Sequence, residues 1–290
     1  MDERLDSVRF GSGGTMDRQI NGRIITSTAN QQVKQIIQLK NKAAKRAEQG
    51  VFLAEGIRLC RELPSGWIER MYVSEPFLQK EENLQSLHRF LKEGIGYEVV
   101  SDAVYARLSD TKTPQGILCV ARRPSYVLAD LMQADQTHLL ILEGIQDPGN
   151  MGTIVRTAEG AGVTGIIMDA GCVDLFAPKT VRATMGSICR VPFIRTNSLA
   201  DTIQEVKRQG IRIFAAHLSG RNDYDELDYT KGTAFLIGSE ASGLKEETAR
   251  QADVYLKIPM EGRLESLNAA MAAGILMYET ARQRRKRSKG

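Results

Sequence analysis

The sequence predicts an α/β protein in two parts, a C-terminal parallel sheet covered on both faces and, before it, a smaller α/β unit. Three observations predict this. The 290 residues are 42% hydrophobic, enough to fill two cores. Short apolar runs alternate with helix-period stretches, the pattern of layered α/β folds. Beyond residue 137 those runs are near-continuous, as strands buried on both faces must be.

Residues 1–28 are polar, contain "GSGG" and keep no period, so a flexible extension is expected there. From Ala29 onward, Val33, Ile36, Ile37, Lys40 and Ala44 follow helical spacing with the lysines mostly on the other faces, which predicts one basic amphipathic helix ending near Gly50. The first unit, residues 29–122, continues with "VFLAEG", a helix through Leu63, "IERMYVS", a helix from Pro76 to Lys92, "YEVVS", a short helix and "GILCVARR". A linker is expected over 123–136, where "RRPSYV" interrupts the apolar period. The second unit, residues 137–282, offers six strands in "HLLILEG", "GIIMD", "CRVPFI", "RIFAAH", "TAFLIG" and "VYLKIP", separated by helical spans. Residues 283–290 read as a basic tail.

Composition excludes several classes of function. No stretch reaches the roughly 18 apolar residues of a membrane span, and "MDERLDSVRF" lacks the regions of a secretory signal, so a cytoplasmic protein is expected. Cys60, Cys119, Cys172 and Cys189 are far apart with no histidine cluster nearby, so neither a metal site nor a redox motif is expected. Net charge is only +4, but positive charge gathers at two places. Lys34, Lys40, Lys42, Lys45, Arg46, Arg58 and Arg61 stand against Glu48 and Glu55 alone, and "RQRRKRSKG" at the end carries six basic residues and no acid. Such clustering suits a polyanion partner. Aromatic residues are only 6% of the chain, so recognition by base stacking is not signalled.

The stretch "EGIQDPGNMGTIVRTAEG" (143–160) looks like a strand turning into a helix, where a dinucleotide fold would place G-x-G-x-x-G. It offers only Gly149 and Gly152. The one literal match, "GAGVTG" at 160–165, runs into a strand and reads better as a glycine-closed helix end. A nucleotide-dependent oxidoreductase is therefore disfavoured.

Three segments, "DPGNMGTIVRTAEGAG" (147–162), "FLIGSEASGL" (235–244) and "IPMEGRLESLNAAMAAGIL" (258–276), together resemble the three motifs of the SpoU or TrmH family of RNA ribose methyltransferases. "VFLAEGIRLCREL" resembles the ribosomal-protein-like substrate-binding domain that often precedes them. The resemblance implies a C-terminal domain with a deep trefoil knot that binds S-adenosylmethionine, a homodimer with its active sites at the interface, and no metal. It implies that Gly238, Ile258 and Leu267 line the cofactor, with Gly243 and Met260 nearby. Asn150, Arg156, Glu240, Ser266 and Asn268 would form the reacting site, with Arg156 either as general base or as a cation that stabilises developing charge; a guanidinium with a pKa above about 12 favours the second role. Lys34, Lys40, Lys42, Lys45, Arg46 and Arg58 are the expected RNA contacts of the first unit. Ribosomal RNA is the expected substrate. Transfer RNA is the alternative, and a non-catalytic RNA-binding or assembly protein is a third reading that the intact Asn150, Arg156, Glu240 and Ser266 speak against.

Overall fold

The computed structural model describes residues 24–132 and 136–287 and divides into two compact units between Arg123 and Pro124. In the first, Asn30 accepts from the Gln32 amide at 2.8 Å and starts α1 (Gln31–Asn41), which buries Val33, Ile36 and Leu39. The single helix expected to Gly50 instead breaks at Lys42, where the backbone is extended, and resumes as α2 (Ala43–Gln49). No proline or glycine causes the break. Arg46 turns back from α2 and donates to the carbonyls of Leu39 (2.6 Å) and Lys40 (3.1 Å), groups that the end of α1 would otherwise leave open. Arg46 is 4% exposed, so its expected role as an RNA contact is corrected to that of an internal cap.

β1 (Val51–Glu55), α3 (Ile57–Glu62), β2 (Ile68–Ser74), α4 (Glu75–Leu78), α5 (Glu81–Lys92), β3 (Glu98–Val100), α6 (Asp102–Leu108) and β4 (Ile117–Arg122) complete the unit. The helix expected from Pro76 to Lys92 is two helices; Asn83 donates to the Phe77 carbonyl at 3.0 Å across the gap between them. The sheet runs β1-β4-β2-β3, parallel between β2 and β3 and antiparallel elsewhere. Ile25, expected in the flexible extension, pairs with Val100 and bonds to Val99 and Ser101, using the open edge of β3. Residues 1–23 of that extension lie outside the described residues.

The second unit begins inside the expected linker. Residues Leu128–Leu131 form α7, and Leu131 is fully buried against Gly165, where a Cβ would stand 2.2 Å from the leucine Cγ. Then follow β5 (His138–Leu142), α8 (Pro148–Ala161), β6 (Gly165–Met168), α9 (Pro178–Ala183), β7 (Phe193–Arg195), α10 (Leu199–Arg208), β8 (Arg212–Ala216), β9 (Asn222–Asp223), β10 (Thr233–Ile237), α11 (Glu246–Ala249), β11 (Val254–Lys257) and α12 (Ala269–Arg287). All six expected strands are present, and the two-residue β9 is an addition. The order is β7-β6-β5-β10-β8-β11-β9 with every pair parallel. β5 and β10, at its centre, are buried along their whole length, which is why they read as unbroken apolar runs. "GAGVTG" closes α8 with left-handed Gly162 and a bond from the Val163 amide to the Ala158 carbonyl.

The expected tail is corrected as well. α12 runs to Arg287, and Arg284 donates to the carbonyls of Gln136, Thr137, Tyr229 and Lys231 while Gln283 bonds to Leu227 and Tyr229. Carbonyls left open at strand and turn ends are strong acceptors for a guanidinium fork. Residues 288–290 lie outside the described residues.

Candidate active site

β5 sits between β6, which follows it in the chain, and β10, which arrives much later. A crevice outside the carboxyl ends of strands at such a reversal is where open parallel sheets bind ligands. After β5 the chain turns at left-handed Gly144 and reaches Asp147, whose carboxylate accepts from the Asn150 amide at 2.8 Å and starts α8 with Pro148 in the first turn. Asn150 is thereby held in the first turn of a helix at the sheet's ligand edge.

Its side chain belongs to a directed chain of hydrogen bonds. Asn268 caps α12, its Oδ1 accepting from the amides of Ala270 (2.9 Å) and Met271 (3.3 Å). That leaves Nδ2 of Asn268 to donate to Oδ1 of Asn150 at 3.1 Å, and Nδ2 of Asn150 to donate to Oε1 of Glu240. Two backbone amides therefore decide which way both side-chain amides face, because an amide has a donor end and an acceptor end. Glu240 keeps Oε2 without a partner among the described residues.

A second carboxylate organises the same place. Glu143 follows β5 directly, is 5% exposed, and accepts from the Lys245 amide (2.8 Å) and the Thr248 hydroxyl (2.7 Å), with the Lys245 ammonium at 3.9 Å. It ties the end of β5 to the turn that follows β10. That turn is tight: a Cβ on Gly238 would stand 2.1 Å from the Gly243 carbonyl carbon, and Gly243 takes φ +65° while its amide bonds to the Ser239 carbonyl.

Between this turn and two other segments, 216–223 and 256–269, lies a cavity of about 730 Å³, well within the size range of small-molecule and cofactor pockets. Gly238, Glu240, Gly243, Ile258, Met260, Ser266 and Leu267 all line it, so the structure gathers every expected cofactor residue and two expected catalytic residues around one space. Asn150 and Asn268 join it through Glu240. Arg156 lies apart, exposed on α8 six residues after Asn150, with no hydrogen bond or ion pair among the described residues.

Several residues had no sequence signal. His217 and Leu218 form part of the cavity wall, and just beyond them Gly220 is packed so closely that a Cβ would meet the Leu256 carbonyl carbon at 2.4 Å. Leu218 and Leu264 line the cavity while about 70% exposed, two large apolar side chains open to an incoming ligand. In sequence Glu143 is only the residue that follows an apolar run. Its function depends on Lys245 and Thr248, about a hundred residues away.

In the first unit, Lys34, Lys42 and Arg58 are exposed and Lys45 pairs with Glu48 at 2.7 Å. Lys40 donates to the carbonyls of Arg107 (2.7 Å) and Ser109 (2.9 Å), closing the end of α6. Among the described residues no group of three His, Cys, Asp or Glu side chains could hold a metal, and no helix is long and apolar enough to cross a membrane.

Residues 137–278 match the model of the SpoU rRNA Methylase family, and residues 30–119 match the MRM3-like substrate binding domain. The chain is 33% identical over 255 residues to the Bacillus subtilis 23S rRNA (guanosine(2553)-2′-O)-methyltransferase RlmP, covering 88% of this chain and 97% of that protein. Among solved structures, the AdoMet-bound rRNA methyltransferase from Sinorhizobium meliloti superposes with a TM-score of 0.78 at 33% identity, over 90% of this chain and 97% of that one. The SpoU methyltransferase AviRb from Streptomyces viridochromogenes, in complex with AdoMet, gives 0.79 at 26% identity over 89% and 100%.

Proposed function

The chain belongs to the SpoU rRNA methylase family, and from that premise we propose that it transfers a methyl group from S-adenosylmethionine to a ribose 2′-hydroxyl of ribosomal RNA. The observation that carries this reading is the convergence of three distant segments on one cavity, with the bonded Asn268–Asn150–Glu240 chain at its edge. The residues fit the cofactor. Gly238 leaves backbone bare where any side chain would collide, Ile258, Met260 and Leu267 offer apolar contact, and the Glu240 carboxylate is complementary to a sulfonium cation. When bound, S-adenosylmethionine supplies the electrophilic methyl.

The chain's own residues must orient the ribose and manage the proton of a weakly acidic hydroxyl. Glu240 presents one committed and one open oxygen, and the open one can accept a hydrogen bond from the hydroxyl. Asn150 holds that carboxylate still. Arg156 remains a cation, suited to gripping a phosphate or stabilising negative charge as it develops on oxygen.

The proposal includes a homodimer. α12 buries Ala270, Ala273, Leu276 and Met277 on one side, yet Met271 and Tyr278, seven residues apart and so on one face, stand 60% and 48% exposed. A second copy placing the same face there would cover them. It also includes the knotted path that the family resemblance implies for the three cavity segments, and action in the cytoplasm, where the RNA substrate is.

The test is incubation with methyl-labelled S-adenosylmethionine and unmodified ribosomal or transfer RNA, the label then mapped by resistance to alkaline cleavage. Label on ribosomal RNA at a 2′-oxygen is expected. Label on transfer RNA alone would transfer the activity to that substrate, and cofactor binding without label on either would support the non-catalytic reading.

A further inference from the structure

One residue outside the cavity is held at a conformational cost. Met185 takes φ +52°, the one left-handed position among the described residues that is not a glycine, and Gly186 beside it takes φ +95°. A side chain with a Cβ is disfavoured there, whereas glycine adopts the same turn freely. The turn is secured from within. The Met185 amide bonds to the Arg182 carbonyl, the Thr184 hydroxyl donates to the Val181 carbonyl at 2.7 Å, and the Ser187 amide bonds to the Thr184 carbonyl. Thr184, Gly186, Ser187 and Ile188 are buried, yet Met185 is 47% exposed. An apolar side chain is thus turned outward at a position that stability alone would give to glycine.

Its place in the fold gives that side chain a use. The segment carrying it is fastened to α8 at both ends. Ala183 packs on Gly152, where a Cβ would stand 2.3 Å from the alanine Cβ, and Arg190 pairs with Glu159, Nη2 to Oε2 at 3.1 Å. These anchors share one face of α8 about 10 Å apart, and Arg156 lies between them. A long helical side chain covers the turn before its own Cα, so Arg156 extends toward the Gly152 anchor and the Met185 turn. Asn150, which donates to Glu240, stands two residues before that anchor. Glu159 is the one acid of α8 and α9 has none, so with Glu159 neutralised this face is positive through Arg156 and the exposed Lys179.

We propose that Met185 contacts the base of the nucleotide whose ribose is methylated, as a positioning residue, while Arg156 grips the neighbouring phosphate. The proposal rests on the reading of the chain as an RNA 2′-O-methyltransferase. Single-stranded RNA presents splayed bases that need a surface to rest on, and a chain with 6% aromatic residues has few rings to offer. A thioether is apolar and polarizable and packs favourably on aromatic rings. Methionine also serves elsewhere as a wedge between bases. Because every base has such a face, Met185 holds the nucleotide without selecting it.

The experiment compares methyl transfer to unmodified ribosomal RNA by wild type, Met185→Gly and Met185→Leu. Glycine adopts φ +52° without strain, so the first variant keeps the fold. It is expected to lose about tenfold in kcat/KM for RNA, the scale of one lost base contact, mostly through KM. Its S-adenosylmethionine affinity, thermal midpoint and mass in light scattering are expected to match wild type. Met185→Leu, apolar and of similar volume, should retain most of the activity. A glycine variant with wild-type kcat/KM overturns the proposal, as does a leucine variant no better than glycine. Loss of dimer in the glycine variant would make Met185 a subunit contact and overturn it too. The failures are distinguishable: labelled RNA with an unaffected glycine variant removes the role of Met185 alone, and no label from wild type removes the enzymatic reading with it.

Discussion

Asn268 shows how far one residue's chemistry reaches. The resemblance implies a catalytic asparagine, and we propose that it acts by positioning: its acceptor end caps α12 and its donor end meets Asn150, which in turn donates to Glu240. Asn268→Asp keeps the cap and removes the donor. The Asn150 amide would then turn its oxygen toward a carboxylate, and kcat is expected to fall at least about tenfold with cofactor affinity and thermal midpoint nearly unchanged. A variant with wild-type kcat would show that amide polarity is immaterial. His138 carries a different consequence. Burial pushes its imidazole down to about 3, and the charge of Arg284 acts in the same direction. The folded state therefore holds the neutral ring while the unfolded chain takes up a proton below about pH 6.5, so stability is complete above that pH and falls by up to about 1.4 kcal/mol per pH unit between about 6.5 and 3. Denaturant melts of His138→Phe, which keeps the ring contact with Phe235, should lose that part of the acid slope.

Among the elements, the turn after β10 depends most on its partners. Glu143 holds it through the Lys245 amide and the Thr248 hydroxyl. Glu143→Ala leaves the buried Thr248 hydroxyl without an acceptor, at a cost of about 1–3 kcal/mol, and frees the part-buried Lys245 amide. It should raise the KM for S-adenosylmethionine more than it lowers kcat, because the turn carries the cavity wall at Gly238 and Gly243 and the reacting chain is anchored separately at Asn268. Calorimetric titration would show the loss directly, and an unchanged cofactor affinity would count against the tie. Element positions were legible in the sequence wherever burial imposes a period: the six main strands of the second unit stand where their apolar runs do. The breaks at Lys42 and after Leu78 were not, because neither carries a proline or glycine and each is closed by a side chain reaching back, Arg46 in one case and Asn83 in the other.

At the scale of the whole molecule, the uneven charge proves only partly available to a polyanion. Arg46, Lys40 and Arg284 satisfy carbonyls within the fold, and Arg282 pairs with Glu279 at 2.6 Å, whereas Lys34, Lys42 and Arg58 remain exposed. A count of basic residues overstates the RNA-facing surface for that reason. The exposed stripe on α12 sets the expectation for assembly. Met271→Glu with Tyr278→Glu should convert a dimer to a monomer in light scattering and lower methyl transfer at least about tenfold, since charges desolvated at an apolar interface are strongly disfavoured. A double variant that stays dimeric would place the interface elsewhere.

The sequence by itself determined the fold class and the two-unit organisation, because apolar period and turn chemistry act over a few neighbouring positions; the residues that line the cavity were implied by the resemblance of three motifs to a family, not by period. Tertiary structure alone decided what those residues do. The bond from Asn150 to Glu240 spans 90 positions and the one from Asn268 to Asn150 spans 118, so no local pattern records them. The same holds for the bases that became caps. A charged side chain reads identically in sequence whether it meets solvent, RNA or a carbonyl, and only the packed fold brings the carbonyl within reach.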